Sequence, residues 1–241
     1  MAIISILLTF VSTLVGGLFG LKFKDKMHIV LGFTAGVLLA IVAFDIFPEI
    51  FEILESGVGE ITYVMYAFVA GFLVFHIAEK LLLIHHSHEE EYGEHKHPSV
   101  GMLSALALSA HSFLDGLGIG LGFQISREVG LAVALAVIAH AFSDGLNNVA
   151  LMLAHKNTKE RAIKFLTFHA CAPLLGGLST FFFTLSSDYL LIYLGFFAGF
   201  LMYIGASDIL PEAHSHGSSH KTIYATLVGV LFILLVSTLL G

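Results

Sequence analysis

Charge is what this chain has least of. In 241 residues, Asp, Glu, Lys and Arg together make up 12%, about half the roughly 25% of an ordinary soluble domain. With 57% hydrophobic residues and a mean hydropathy of +0.91, the composition excludes a soluble fold and places the chain in a bilayer. Cysteine is almost absent: Cys171 alone rules out both a disulfide framework and a cysteine-rich zinc module, and reads as a small packing residue. The eleven Lys and Arg form no basic patch, so nucleic-acid binding has no support. No Lys or Arg precedes the apolar run 1–20. It lacks the charged start of a signal peptide and is expected to be a retained first span.

What is there is a series of apolar stretches. A span takes about 20 residues, and eight fit, at about 1–20, 28–51, 61–84, 99–124, 128–155, 161–185, 188–213 and 221–240. They use nearly the whole length, so residues 1–241 are expected to form one all-α integral membrane domain of eight transmembrane helices. Basic residues gather in cytoplasmic loops. Ten of the eleven follow odd-numbered spans (Lys22, Lys24, Lys26, Lys80, Lys96, Lys156, Lys159, Arg161, Lys164 and Lys221), and only Arg127 lies in an opposite loop. Both termini are therefore expected on the extracytoplasmic face of the cell membrane.

The chain also repeats itself. Ala35-Gly36 and Ala43-Phe44-Asp45-Ile46-Phe47-Pro48-Glu49 align without a gap on Ala198-Gly199 and Ala206-Ser207-Asp208-Ile209-Leu210-Pro211-Glu212, at a constant offset of 163. These stretches belong to the second and seventh spans, which cross in opposite directions if the orientation holds. An inverted duplication is a signature of secondary transporters that bind substrate near the midplane. The expected plan is three spans, two central spans and three spans.

The two central spans carry the chemistry. His111-Ser112-Phe113-Leu114-Asp115-Gly116 and His140-Ala141-Phe142-Ser143-Asp144-Gly145 each set a histidine and an aspartate four residues apart, on one helix face. Ionisable groups within spans are costly and functional by default. Two imidazoles and two carboxylates converging between adjacent helices make a divalent-metal site from His111, Asp115, His140 and Asp144. The plainer alternative, two pairs of polar packing contacts, leaves their recurrence on consecutive spans unexplained. Neutral imidazole and carboxylate suit Zn²⁺, and also Fe²⁺, Mn²⁺ or Co²⁺, as the substrate ion.

Other polar residues are graded around that pair. Asn148 shares the face of Asp144 and is a candidate auxiliary ligand, and Ser112 is a candidate pathway residue. Asp45 and Glu49 mark a candidate entrance. Asp208, Glu212, His214 and His216 mark a candidate exit. His169 is either a pathway group or a packed core histidine. Gly116, Gly118, Gly120 and Gly122 are expected to thin one flank of the fourth span for close packing. The insert 85–98 holds His85, His86, His88, His95 and His97 with four glutamates. It cannot build a core, is expected to be a mobile cytoplasmic loop, and reads either as metal-buffering or as merely solvated.

Taken together, these residues make the chain resemble the ZIP (Zrt/Irt-like) divalent-metal transporters over essentially its full length. The points of likeness are the eight spans with outward termini and the histidine-rich insert after Gly71-Phe72-Leu73 and Glu79-Lys80. The His-x-x-x-acid-Gly pair and the Pro-Glu endings of spans two and seven complete them. The resemblance implies a mononuclear or binuclear metal centre between spans four and five. It also implies a bundle of spans one, four, five and six sliding against two, three, seven and eight, commonly in a homodimer. The chain departs from the family pattern at Ser112, Leu114-Asp115, Ala141, Ser143-Asp144 and Ala172, which implies that a second metal position is poorly built and one site remains. Shorter aspartate arms require closer helix approach, which the glycines are expected to permit.

The expected function is uptake of a divalent transition metal into the cytoplasm by alternating access. Two rivals use the same residues. An intramembrane zinc hydrolase would need machinery the sequence lacks, since His-Glu-x-x-His and nucleophile motifs are missing. A bis-histidine haem protein ligated by His111 and His140 leaves the two aspartates without a role.

Overall fold

The computed structural model describes residues 1–21, 27–90, 98–214 and 220–240. Lys22, Lys24, Lys26, His95, Lys96, His97 and His216 lie outside the described residues, as do the side chains of His85, His86, His88 and Asp208. Among the described residues the chain is helical, with no strand. In order run α1 (Ala2–Gly20), α2 (Met27–Ile41), α3 (Phe47–Glu55), α4 (Ile61–Glu90), α5 (Pro98–Ile125), α6 (Arg127–Ala154), α7 (Lys159–Ser179), α8 (Ser187–Met202), α9 (Leu210–His214) and α10 (His220–Leu240). α4 runs on to Glu90 and takes in the first six residues of the histidine-rich insert, 85–90, as helix. Among the described residues, six units are long and apolar enough to cross a membrane: Ala2–Gly20, His28–Glu55, Arg127–Leu153, Lys159–Phe182, Ser187–His214 and His220–Thr238. Ile61–Ile77 in α4 is a shorter apolar helix.

Local chemistry sets the breaks. Ser126 is extended, and its hydroxyl accepts from the Val129 N–H at 3.1 Å, capping α6. Thr158 does the same for α7 through the Arg161 N–H at 3.3 Å. Glu128 and Glu160 follow in the first turns, where negative charge meets the positive helix end. Between α3 and α4, Gly57 and Gly59 adopt φ of +86° and +70°, a region open mainly to glycine.

Two long helices are interrupted in matching register. A π turn spans Val42–Ile46 between α2 and α3, and another spans Tyr203–Ile209 between α8 and α9. Each immediately precedes the turn that carries Pro48 or Pro211. Proline supplies no N–H and its ring crowds the carbonyl four residues back. A wider turn just before it relieves that conflict without ending the helix.

The helices pack as two groups. α1, α5, α6 and α7 pack on one another, and α2, α4, α8, α9 and α10 form the second set. Four helix pairs are locked by reciprocal glycines, each lying against the other helix's backbone. Gly16 and Gly145 join α1 to α6, and Gly116 and Gly176 join α5 to α7. Gly36 and Gly229 join α2 to α10, and Gly71 and Gly199 join α4 to α8. A Cβ at any of them would collide with the facing carbonyl. All four locks lie within a group. Across the boundary, contacts run through side chains, as where Gly118 of α5 faces the rings of Tyr193 and Phe197 on α8. The largest buried apolar cluster lines that boundary, with Leu38, Ile41 and Val42 from one side, Val133 and Val137 from α6, and Phe197 and Phe200 from α8. Outer faces such as Leu7, Leu8 and Val11 of α1 or Leu227, Val228 and Leu231 of α10 are exposed and apolar, as lipid contact requires.

The expectation that Gly116, Gly118, Gly120 and Gly122 thin one flank of α5 is corrected. Gly116 and Gly120 face Pro173 and Thr180, Gly118 faces α8, and Gly122 faces Gly130 of α6. A step of two residues turns a helix by about 200°, so alternate glycines fall on opposite flanks.

Candidate metal centre

α5 and α6 run antiparallel, and their His-x-x-x-Asp turns meet inside the first group, against the second. His111, Asp115, His140 and Asp144 each offer one ligand atom, and these four atoms lie within 4.8 Å of one another. Asp115 Oδ2 is 3.3 Å from both His111 Nε2 and His140 Nε2, while Asp144 Oδ2 is 3.9 and 3.8 Å from the same nitrogens. For a tetrahedral ion with bonds of about 2.0–2.2 Å, neighbouring ligand atoms stand about 3.4 Å apart. The observed spacings bracket that value.

The site is buried and its polar atoms face one another. Asp115, His140 and Asp144 are buried, and His111 is nearly so. Four of their buried atoms, His111 Nε2, Asp115 Oδ1, His140 Nε2 and Asp144 Oδ2, make no hydrogen bond. His140 Nδ1–H donates to the Ala136 carbonyl at 2.8 Å. That bond fixes the tautomer and aims the Nε2 lone pair at the two carboxylates, the arrangement common to metal-binding histidines. A buried lone pair facing a carboxylate is repulsive unless a proton or a metal ion lies between them.

The remaining candidates separate by position. Ser112 is buried but turned towards His169 of α7, its Oγ 3.4 Å from both ring nitrogens; His169, itself fully buried, stands outside the four-residue group. Asn148 is fully buried, with neither amide atom hydrogen-bonded. Asp45 and Glu49 line a cavity of about 390 Å³ with Glu52, Arg127, Glu128 and Ser237, and Asp45 Oδ1 accepts from Ser237 Oγ at 2.7 Å. This cavity opens at the start of α6, between the two groups, and does not include the four ligands. At the opposite end of the second group, Glu212 and His214 are half-buried on α9, His214 Nδ1–H donating to the Leu210 carbonyl at 2.9 Å.

Sequence reasoning missed the walls. Phe75 of α4 meets the His111 ring edge-to-face at 5.7 Å, and Phe200 of α8 approaches it at 4.8 Å. Both rings come from the second group and cover a ligand of the first. Thr34 of α2 accepts from the Ser143 hydroxyl at 3.3 Å across the same boundary. No local pattern flags these residues, because only the packing of distant helices brings them to the site. The glycines that follow the aspartates also act differently than expected. Gly116 backs onto α7 and Gly145 onto α1, so they press a third helix behind each ligand and do not narrow the gap between α5 and α6.

Comparison with known proteins gives consistent matches. The family model described as ZIP Zinc transporter matches residues 84–237. The chain is 30% identical over 231 residues to a protein of Streptococcus mutans named zinc transporter ZupT, covering 90% of this chain and 87% of that one. It is 29% identical over 248 residues to the zinc transporter ZupT of Corynebacterium aurimucosum, covering 93% and 91%. For the zinc transporter ZupT of Chlorobaculum parvum the figures are 29% over 255 residues, with 97% and 95% covered.

Proposed function

This chain belongs to the ZIP zinc transporter family, and we propose that its divalent-metal substrate is held, in transit, by His111, Asp115, His140 and Asp144. It is an integral membrane transporter of divalent metal and not an enzyme, so the site has to bind and release an ion without altering it. The observation that carries the reading is the convergence of four ligand-capable side chains, each with a buried polar atom that makes no hydrogen bond. Two aspartates cancel the double charge, without which desolvation would forbid entry. Two imidazoles and two carboxylates suit Zn²⁺, as the relatives' names suggest, and would also accept Fe²⁺, Mn²⁺ or Co²⁺.

The finer architecture follows in the same reading: eight spans, arranged three-two-three, with both termini outside. The offset of 163 between Pro48 and Pro211, each just after a π turn, supports it. So do the glycine locks. An inverted repeat exchanges span one with six, two with seven, three with eight and four with five. That operation turns the α1–α6 lock into α7–α5, and the α4–α8 lock into α10–α2. The first group then moves against the second during alternating access. Substrate enters through the carboxylate-lined cavity at Asp45 and Glu49 and leaves towards Asp208, Glu212, His214 and His216, while His85, His86, His88, His95 and His97 buffer metal in the cytoplasm.

Reconstitution into proteoliposomes tests the reading. Wild type is expected to take up Zn²⁺ from a panel of divalent ions, and His111→Ala is expected to lose uptake while remaining folded in the bilayer. Uptake by His111→Ala at the wild-type rate would overturn the assignment.

A further inference from the structure

Asn148 is the polar residue that the four-ligand centre does not absorb. It lies four residues beyond Asp144 and eight beyond His140 on α6, so successive turns carry the three side chains along one face with about 6 Å of rise per step. It is fully buried, and both its Oδ1 and Nδ2 lack a hydrogen-bond partner. Buried amides are nearly always paired, and an unpaired one marks a bound water, an ion or a function.

The neighbouring helix explains why no protein group answers it. Gly122 lies against Gly130, and Gly101 against Leu151 and His155. This antiparallel register sets Asn148 opposite the stretch 105–109 of α5. That stretch offers Ala105, which has no polar side chain, and Ser109, whose hydroxyl donates to the Ala105 carbonyl at 2.7 Å. The amide presents a neutral oxygen, which coordinates a divalent cation weakly and lets it go.

We infer that the Asn148 amide oxygen is a second, weaker station for the divalent cation, one helical turn beyond Asp144 on the α6 face shared with His140 and Asp144. The inference rests on the transport reading above. An ion leaving the four-ligand centre meets this oxygen next as it moves along α6 towards His155. Because the station is neutral, it lowers the barrier to departure without trapping the ion.

The test uses the full chain with Zn²⁺ as the probe. Asn148→Leu removes both polar atoms and keeps the branched outline of the side chain; it is expected to slow initial uptake into proteoliposomes about tenfold, while Zn²⁺ affinity measured by calorimetry on purified protein stays within about twofold. Asn148→Asp keeps the size and adds a charge, and is expected to raise the stoichiometry from one tightly bound Zn²⁺ to two and to slow uptake as well. Wild-type uptake by Asn148→Leu would overturn the inference and leave a structural water as the partner of the amide. So would loss of binding in step with uptake, which would make Asn148 part of the first centre. If Asn148→Leu fails to fold, Asn148→Asp decides alone, and a stoichiometry that stays at one overturns the inference. His111→Ala, run in parallel, separates the two levels. If it binds and transports like wild type, the reading of the centre has failed. If it is inactive while Asn148→Leu is normal, only the second station has failed.

Discussion

Asp115→Asn exchanges one carboxylate oxygen for an amide and keeps the shape, so it isolates the charge. Asp115 is the stronger choice of the two aspartates, because its Oδ2 stands 3.3 Å from both imidazole nitrogens against 3.8 and 3.9 Å for Asp144. The substitution leaves a doubly charged ion facing a single carboxylate in a buried site. Losing one partner of a buried charge pair costs about 3–5 kcal/mol, or about 10²–10⁴ in Kd. Thermal unfolding in detergent reads this directly. With Zn²⁺ at about 100 times the wild-type Kd, binding stabilises wild type by about 2.7 kcal/mol. At that same concentration a protein with about 1,000-fold weaker affinity gains less than about 0.1 kcal/mol. Without metal the sign reverses. Asp115 Oδ1 is buried and unpaired, and a neutral amide there is easier to bury than a carboxylate, so metal-free Asp115→Asn is expected to be at least as stable as wild type. A Zn²⁺-induced shift of wild-type size in Asp115→Asn would refute the reasoning, since it would show that the ion binds without this carboxylate.

Asp115→Ala is expected to abolish Zn²⁺ uptake in proteoliposomes while folded protein persists in the membrane, as judged by size-exclusion chromatography after extraction. Gly116→Ala puts a Cβ into the Pro173 carbonyl, and overpacking of this kind is expected to lower stability by about 1–3 kcal/mol in thermal unfolding, with metal affinity falling as the Asp115 turn shifts. Gly57→Ala meets nothing within 4 Å but has φ of +86°; it is expected to cost about 1 kcal/mol and leave Zn²⁺ affinity unchanged. Thr34→Val removes the acceptor of the Ser143 hydroxyl across the boundary between groups, and is expected to alter the uptake rate with Zn²⁺ affinity unaffected in calorimetry.

Local patterns made the centre legible in the sequence. A histidine and an aspartate four residues apart share a helix face by helix geometry alone, and their recurrence in consecutive apolar runs singled out the four residues that the packing brings together. The π turns at Val42–Ile46 and Tyr203–Ile209 were half legible. The repeated Asp-x-x-Pro-Glu blocks marked two equivalent places, but the widening of the helix ahead of each proline is a backbone response that composition does not encode. Phe75 and Phe200 were invisible, since neither lies near a polar motif and both reach His111 only through contacts between groups. The partner of each glycine was likewise settled by which helix packs behind it.

Those partners explain how two short aspartates hold a four-cornered site. A longer acidic side chain would reach the ion from many backbone positions and spend more rotamer freedom doing so. Aspartate has little reach, so its oxygen goes where the backbone puts it. Gly116 follows Asp115 and lies against the backbone of α7, and Gly145 follows Asp144 and lies against the backbone of α1. Each aspartate-bearing turn is thereby pinned by a backbone contact that no side chain can relax. His140 is held from its own helix by the Ala136 carbonyl, and His111 is covered by the rings of Phe75 and Phe200. Three of the four candidate ligands are therefore held within the first group, and the fourth, His111, leans on the second. In the proposed reading, a displacement between the groups would leave Asp115, His140 and Asp144 in place and uncover His111, so His111 is the side chain whose hold on an ion would change as the groups part.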